Sequence, residues 1–381
     1  MSAKVDVAII GAGPGGAMAA CRLARTGISV AILEKEKLPR HKACGGALPE
    51  NTGESFGLDL SPITENRVAQ TRSLYDYEKP NLCIHAPINM VDRSRLDAFL
   101  VDLAITSAGG NVELWGGFDL SAVKEEADGV TVQGKGGEVV RSKFLIAADG
   151  AMSKTARCLG LKSDSHPGIA IDAEVDVTAE VHESHKDTAT FNYFCLPRGY
   201  GWIFPKREGR LSCGVVSWDR KKGILGDMNS LLVKSLPAKS IRSLQMYSHP
   251  IPFYSGHEQI ATRRVCLIGD AARLVDPISG EGVRYAMQSG SLAADVVSSL
   301  LDMKPLDLAG YDIPSSDREC CRVYQHLIHQ GIGKHLDSLR RYIQPIFLDN
   351  PEFFYRKFIQ SGQSYAGLAQ RLAGHFDDID V

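Results

Sequence analysis

Four glycines fall within six residues at Gly11-Ala12-Gly13-Pro14-Gly15-Gly16, directly after the apolar run Val5-Asp6-Val7-Ala8-Ile9-Ile10. A strand that turns tightly into a helix accommodates that density. Ala17 to Arg25 then reads as a small-residue helix. Ile28-Ser29-Val30-Ala31-Ile32-Leu33 reads as a second strand, ending in Glu34. Strand, G-x-G-x-x-G, helix, strand, acid is the order of a dinucleotide-binding unit. Gly11 permits the turn, Gly13 lets a pyrophosphate approach the backbone, and Gly16 lets the helix pack on the sheet. The helix N-terminus offers N–H groups and a partial positive charge to phosphates, and Pro14 and Gly15 are cofactor-binding candidates beside it. Glu34, 18 residues after Gly16, is placed for ribose hydroxyls. Its charge disfavours a 2′-phosphate, so FAD or NAD fits better than NADP.

A basic loop follows, Lys35-Glu36-Lys37-Leu38-Pro39-Arg40-His41-Lys42-Ala43-Cys44-Gly45-Gly46. Its glycines imply positive φ or close approach to a flat ligand. Arg40 and Lys42 are candidates for cofactor phosphates and Cys44 for the redox centre, with Lys35 and Ala43 as further cofactor-binding candidates. A solvated basic loop with one buried thiol fits equally well. Leu82, Ile84, Ala86, Ile88 and Met90 alternate with polar residues as in a half-buried strand, in which Pro87 demands an edge or a break. A helix opens near Asp92-Arg93 and runs to about Ser107, with Leu96, Phe99, Leu100 and Leu103 on one face. Arg93 is a cofactor candidate or a surface arginine.

Asn111 to Trp115, Gly129 to Val132 and Phe144 to Ala148 read as strands, and Gly134 to Gly137 as a turn. Asp149-Gly150 ends the last strand, as a nucleotide contact or a plain turn, and a short helix spans Ser153 to Leu159. From Ile169 to Val177 the pattern alternates. Phe191 to Phe194 and Leu211 to Val216 continue it, which implies an antiparallel sheet of a second domain. Between those strands lies Tyr200-Gly201-Trp202-Ile203-Phe204-Pro205, an aromatic wall or ordinary core. Arg264 to Ile268 is the last strong strand. Gly269-Asp270 follows it, then a loop with Gly280 and Gly282, then a helix from Val283 to about Leu301. Asp270 can accept from a ribityl hydroxyl, and that helix N-terminus can hold negative charge on a reduced flavin. FAD needs this second element and a nicotinamide cofactor does not. Asn350-Pro351-Glu352 starts a helix whose Phe353, Phe354, Tyr355, Phe358 and Ile359 are core or border a lipid-sized pocket.

The expected fold is α/β with α+β character. A Rossmann-like FAD-binding domain comprises 1–80, 92–165 and 260–303; an inserted antiparallel-sheet substrate domain comprises 81–91 and 166–259; a C-terminal helical region spans 304–381. A length of 381 residues suits two or three domains, and a net charge of -2 without a basic run argues against nucleic-acid binding. Nine cysteines without a C-x-x-C pair read as reduced thiols in a cytoplasmic protein, with no metal site. No run of 18 apolar residues predicts a membrane span, which leaves peripheral membrane contact open.

Together these stretches resemble the FAD-dependent reductases and hydroxylases of the p-hydroxybenzoate hydroxylase fold, and among them the geranylgeranyl reductase family. The family's basic-x-Cys-Gly-Gly segment matches Lys42-Ala43-Cys44-Gly45-Gly46. Its Tyr-x-Trp-x-Phe-Pro motif matches Tyr200, Trp202, Phe204 and Pro205. The element after it departs, since Cys213-Gly214-Val215 carries one glycine where the family has two. The resemblance covers residues 4 to 300. It implies saturation of isolated isoprenoid double bonds by FADH2, with Cys44, Gly45 and Gly46 at the catalytic centre and Tyr200, Trp202, Phe204 and Pro205 binding substrate. Geranylgeranyl diphosphate, an ether lipid, a menaquinone tail and a chlorophyll precursor are candidate substrates, and NAD(P)H or ferredoxin the electron donor. An oxygen-using aromatic hydroxylase or halogenase and a non-catalytic flavin- or lipid-binding protein are the rival expectations.

Overall fold

The computed structural model describes residues 2–361 except 162, 164, 208, 220–222, 257, 302–305, 309 and 318, and of 79–82 the backbone alone. The chain forms two compact units. One comprises 1–40, 96–166 and 252–337, the other 41–95, 167–251 and 338–381. The strands are β1 (Ser2–Ile10), β2 (Val30–Glu34), β3 (Ala47–Pro49), β4 (Thr64–Tyr75), β5 (Glu78–Val91), β6 (Val112–Gly116), β7 (Leu120–Glu125) and β8 (Val130–Gly134). They continue as β9 (Val139–Ala147), β10 (Gly168–Val177), β11 (Thr188–Tyr193), β12 (Gly199–Pro205), β13 (Arg210–Ser217), β14 (Ile241–Ile251) and β15 (Val265–Leu267).

The first unit is built on a sheet in the order β6-β2-β1-β9-β8-β7, with β15 also on β9. Strands β6, β2, β1, β9 and β15 run parallel, and β8 and β7 extend the sheet antiparallel. Val7, Ala8 and Ile9 are fully buried, as a parallel strand covered on both faces requires. The helix Pro14–Leu23 packs its small residues against the helix Val283–Leu300. There a Cβ on Gly290 would lie 2.2 Å from the Gly15 carbonyl.

The second unit carries the sheet β14-β10-β13-β12-β11-β4-β5-β3. It is antiparallel except where β11 runs parallel to β4. One face is apolar. Ile171, Ala173, Val175, Ile203, Leu211 and Val215 pack there against Met228 and Leu231 of the helix Ile224–Ser235.

Several expectations are corrected. Residues 41–80 belong with the second unit, because β4 pairs with both β11 and β5. Residues from 338 also join it, whereas 304–337 join the first unit, where the Tyr324 hydroxyl donates to the Leu267 carbonyl at 2.9 Å. The part of the expected helical region beyond 361 lies outside the described residues. Tyr200 to Pro205 is itself strand β12, in the middle of the sheet. Pro87 is not on an edge strand. It sits where the register jumps, Val68 facing Ile88 and Gln70 facing His85, so a bulge absorbs its missing donor. Strands β4 and β7, without strict alternation, went unanticipated. The first helix starts at Pro14 rather than Ala17, since proline suits a first helical position.

Candidate functional site

In the first unit, two glycines close the turn after β1. Gly11 has φ +98, and a Cβ there would lie 2.3 Å from the Ala148 carbonyl. A Cβ on Gly16 would lie 2.1 Å from the Gly11 carbonyl. Gly13 precedes the helix Pro14–Leu23 and supplies no side-chain cap to its N-terminus. The Ala12 N–H donates to Glu34 Oε2 at 2.8 Å and the Glu36 N–H to Oε1 at 3.2 Å. Buried Glu34 thereby ties the glycine loop to the end of β2. Arg40 is engaged within its own chain. Its guanidinium donates to Asp97 at 2.8 Å and lies 3.4 Å from Glu34, so two buried carboxylates hold it. Lys35 is exposed.

Asp149 is equally engaged at home. It accepts from the Ser153 hydroxyl at 2.7 Å and from the Thr155 N–H and hydroxyl at 2.9 and 3.0 Å, which orders the helix Lys154–Cys158 behind Gly150. The carboxylate thus supports the turn. Asp270 and the distant glycine loop do converge: a Cβ on Gly282 would lie 3.3 Å from Asp270 Oδ1. Gly269 and Gly280 both have positive φ. Sequence reasoning passed over Asp276, whose carboxylate accepts the Ile278 and Ser279 N–H groups at 2.7 and 2.9 Å and shapes this loop. Burial pushes that carboxyl up from the usual range. The helix Val283–Leu300 again starts without a side-chain cap.

In the second unit, register builds the site. Asp172 faces Gly214, Gly214 faces Trp202, and Trp202 faces Phe191, in one row across four strands. The next row is Glu174, Ser212 and Phe204. Tyr200, Trp202 and Phe204 therefore share the face opposite the apolar core. Their ring centroids stand 6.3 Å (Tyr200–Trp202) and 6.2 Å (Trp202–Phe204) apart, with Phe191 5.1 Å from Phe204. Alternation sets the Pro205 ring apart from the other three. Phe354, Tyr355 and Phe358 are buried and Phe353 is exposed. The Tyr355 ring lies tilted 6.2 Å from Tyr193 and its hydroxyl donates to the Ser73 carbonyl at 2.9 Å, so this stretch is core of the second unit.

The Cys44 loop lies on that aromatic face. A Cβ on Gly45 would come within 3.1 Å of both Trp202 Nε1 and Phe204 Cε2. Gly46 has φ +69, and a Cβ there would lie 2.0 Å from the Val91 carbonyl and 2.2 Å from Lys206 Nζ. Gly46 excludes a side chain, and Gly45 leaves one little room. The Cys44 N–H donates to Asp172 Oδ2 at 3.2 Å, and the Gly46 N–H to Cys44 Sγ at 3.4 Å. The Ser212 hydroxyl donates to Asp172 Oδ1 at 2.9 Å and accepts from Trp202 Nε1 at 3.2 Å. Lys206 Nζ donates to the Val91 carbonyl at 2.8 Å. Burial pushes the Lys206 ammonium down, against Cys44, Asp172, Glu65 and Asp92, which favour its charge. Burial pushes the Asp172 carboxyl up, against Ser212, Lys206 and the Cys44 N–H. Lys42 meets the His249 ring at 3.1 Å, Ala43 is half-buried, and Arg93 opens the helix Arg93–Ser107. Sequence reasoning missed Asp172, Ser212 and Lys206. The one available signal was an acid on the polar side of an alternating strand.

The FAD binding domain model matches residues 4–302. The chain belongs to this FAD-binding family. It is 31% identical to the chloroplastic geranylgeranyl diphosphate reductase of Arabidopsis thaliana, over 77% of this chain and 66% of that protein. It is 27% identical to the digeranylgeranylglycerophospholipid reductase of Methanocaldococcus jannaschii, over 99% of this chain and 92% of that protein. The fold matches a geranylgeranyl bacteriochlorophyll reductase-like protein of Thermoplasma acidophilum with a TM-score of 0.73 at 23% identity, over 93% of this chain and 92% of that one. Flavin-dependent halogenases and monooxygenases share the fold too. The cofactor is FAD, and the chain is a flavin-dependent oxidoreductase of the geranylgeranyl reductase-like group. The tight turn that only glycine permits at positions 11 and 16, leading into a helix whose N-terminus has no side-chain cap, fits that cofactor. No described helix is long and apolar enough to cross a membrane.

Proposed function

We propose that this protein saturates isolated carbon–carbon double bonds of isoprenoid chains. An isolated alkene has no carbonyl to polarise it, so one carbon must gain a hydride while the other gains a proton. FAD, bound and reduced, supplies the hydride. Gly11, Gly13, Pro14, Gly15 and Gly16 cradle its phosphates, and Glu34 fixes that loop while facing the ribose. Asp270, Gly280 and Gly282 receive the rest of the cofactor, with Arg40 holding Glu34 in place. Tyr200, Trp202 and Phe204 form a wall along which a prenyl chain lies and from which water is excluded. Cys44 gives the proton from its thiol.

What supports this reading is the Cys44 loop laid directly on the aromatic face, with the Gly45 backbone against Trp202 and Phe204. The relatives named for geranylgeranyl substrates agree with a prenyl chain as the ligand. The test is anaerobic. The FAD-loaded protein is reduced with dithionite and given geranylgeranyl diphosphate or a geranylgeranylated lipid, and product mass is followed. Mass gains in steps of two hydrogens with flavin reoxidation support the reading. A flavin that stays reduced until air is admitted, with oxygen appearing in the product, overturns it for a hydroxylase. Cys44→Ser should retain FAD and lose turnover; unchanged turnover removes the thiol from the mechanism. NAD(P)H and reduced ferredoxin, each in place of dithionite, identify the donor.

A further inference from the structure

The Cys44 backbone and the aromatic wall are joined by hydrogen bonds that pass through a side chain assigned no role so far. We propose that Asp172 is a positioning residue that locks the Cys44 loop to the Trp202 indole through Ser212, so that the proton donor and the substrate wall keep one fixed geometry. This rests on the alkene-reductase reading for its purpose, though not for its existence.

The connection is continuous. Trp202 Nε1 donates to Ser212 Oγ at 3.2 Å, Ser212 donates to Asp172 Oδ1 at 2.9 Å, and the Cys44 N–H donates to Asp172 Oδ2 at 3.2 Å. A bond to the backbone N–H holds the Cys44 Cα itself, which a bond to the thiol would not. All three supporting side chains are buried, with Asp172 5% and Ser212 2% exposed, so water is a poor substitute for either bond. The indole is also wedged. The Gly45 backbone approaches Nε1, and a Cβ on Gly214 would lie 2.1 Å from Trp202 Cζ2. A ring pinned by a bare backbone at each of these two atoms has few alternatives, and its single polar atom selects among them. Burying a carboxyl that no described cation approaches within 4 Å is costly, and burial has pushed it up from the usual range. Packing alone would be served by an apolar residue at 172. An acceptor with two oxygens is what two donors on separate elements require.

The test uses the full FAD-loaded chain and two variants that each cut one half of the connection. Ser212→Ala removes the tie to Trp202 and the donor that holds Asp172 Oδ1, so the carboxylate that anchors the Cys44 N–H is free to turn. Asp172→Asn can still accept from Ser212 but turns an amide donor toward the Cys44 N–H. The first readout is iodoacetamide alkylation, followed cysteine by cysteine by peptide mass spectrometry. Both variants should alkylate Cys44 about fivefold faster, the factor that one lost hydrogen bond sets. Cys213, buried on the opposite face beside Ser212, should stay protected. The second readout is prenyl reduction: kcat should fall about tenfold while KM changes by less than about twofold, since the wall remains and the donor is displaced. Ser212→Thr, which keeps the hydroxyl, should restore both. Unchanged Cys44 alkylation in both variants overturns the proposal, as does exposure of Cys213 in step with Cys44, which would mean general loosening. Should Ser212→Ala fail to fold, Asp172→Asn decides alone. Should Cys44 respond while even the wild type reduces no prenyl chain, the positioning stands and the reaction assigned above falls.

Discussion

Gly214→Ala puts one methyl group where the structure leaves no room for it. The added Cβ would lie 2.1 Å from Trp202 Cζ2, 2.4 Å from Cη2 and 2.6 Å from the Ile171 carbonyl. Comfortable carbon contacts begin at about 3.5 Å, so the indole must retreat by about 1.4 Å. The Ile171 carbonyl belongs to the β10–β13 ladder and yields little. Trp202 is no freer, because the Gly45 backbone borders its nitrogen and Ser212 holds its N–H. Gly214 does not have a positive φ, so alanine meets no backbone penalty there and the whole effect comes from contact. Overpacking of this kind costs about 1–3 kcal/mol, and the strained Trp202–Ser212 bond adds up to about 1 kcal/mol. For a unit of this size that lowers the melting temperature by about 3–10 °C. The assay is thermal unfolding followed by tryptophan emission, with bound FAD and prenyl reduction measured on the same samples. FAD content should hold and turnover should fall about tenfold, because the indole that lines the wall has moved. Gly226→Ala is the control: nothing lies within 4 Å of its added Cβ in the helix Ile224–Ser235, so it should stabilise by about 0.5–1 kcal/mol. A Gly214→Ala protein that melts with the wild type and turns over normally would refute the account of how Trp202 is held.

Arg40→Met strands Asp97, whose side chain has no exposure, and should cost about 3–5 kcal/mol in urea unfolding; a loss under 1 kcal/mol would show the pair is solvated. Glu34→Ala deprives the Ala12 N–H of its buried acceptor and should weaken FAD binding at least about tenfold in a fluorescence titration, with unchanged affinity counting against its role. Tyr355→Phe removes the hydroxyl from the Ser73 carbonyl and should cost about 1 kcal/mol with turnover retained. Burial raises the Asp172 carboxyl, so the folded chain binds that proton more tightly than the unfolded one. The stability this proton contributes is complete below the ordinary carboxylate range and is lost as pH rises through the folded value. Wild type should therefore gain on Asp172→Asn as pH falls from about 8 to about 4. A difference that is flat across that range would show that the carboxyl is not raised.

Local patterns carried most of the fold. The glycine cluster, the apolar run before it and Glu34 announced a parallel βαβ unit because each rests on neighbours in sequence. The limits were just as physical. Strand β4, with Thr64, Glu65, Asn66 and Arg67 at its start, has no clean alternation, and it belongs to the second sheet only through pairing with β11 and β5. Arg40 read as a phosphate contact because of its charge beside a glycine loop, and Asp149 as a nucleotide contact because its Asp-Gly turn ends a strand of a dinucleotide fold. Their own chain supplies the countercharge and the capping donors instead, from positions 57 and 4 to 6 residues away.

The second unit's site was legible as parts and illegible as a whole. Cys44-Gly45-Gly46, Tyr200-Gly201-Trp202-Ile203-Phe204-Pro205 and Gly214 read as separate signals, the last even as a departure from the expected glycine pair. Alternation along a strand says which face a residue takes, but only register says which row it joins. With β13 between β10 and β12, Gly214 becomes the bare floor beside the indole and Asp172 its neighbour in the same row. Gly45 and Gly214 are 169 residues apart in the chain, and both leave space for Trp202. The two glycines therefore answer to one steric demand, the fit of a single ring. That is why a methyl group at 214 should be felt at the Cys44 loop, which shares no covalent neighbourhood with it.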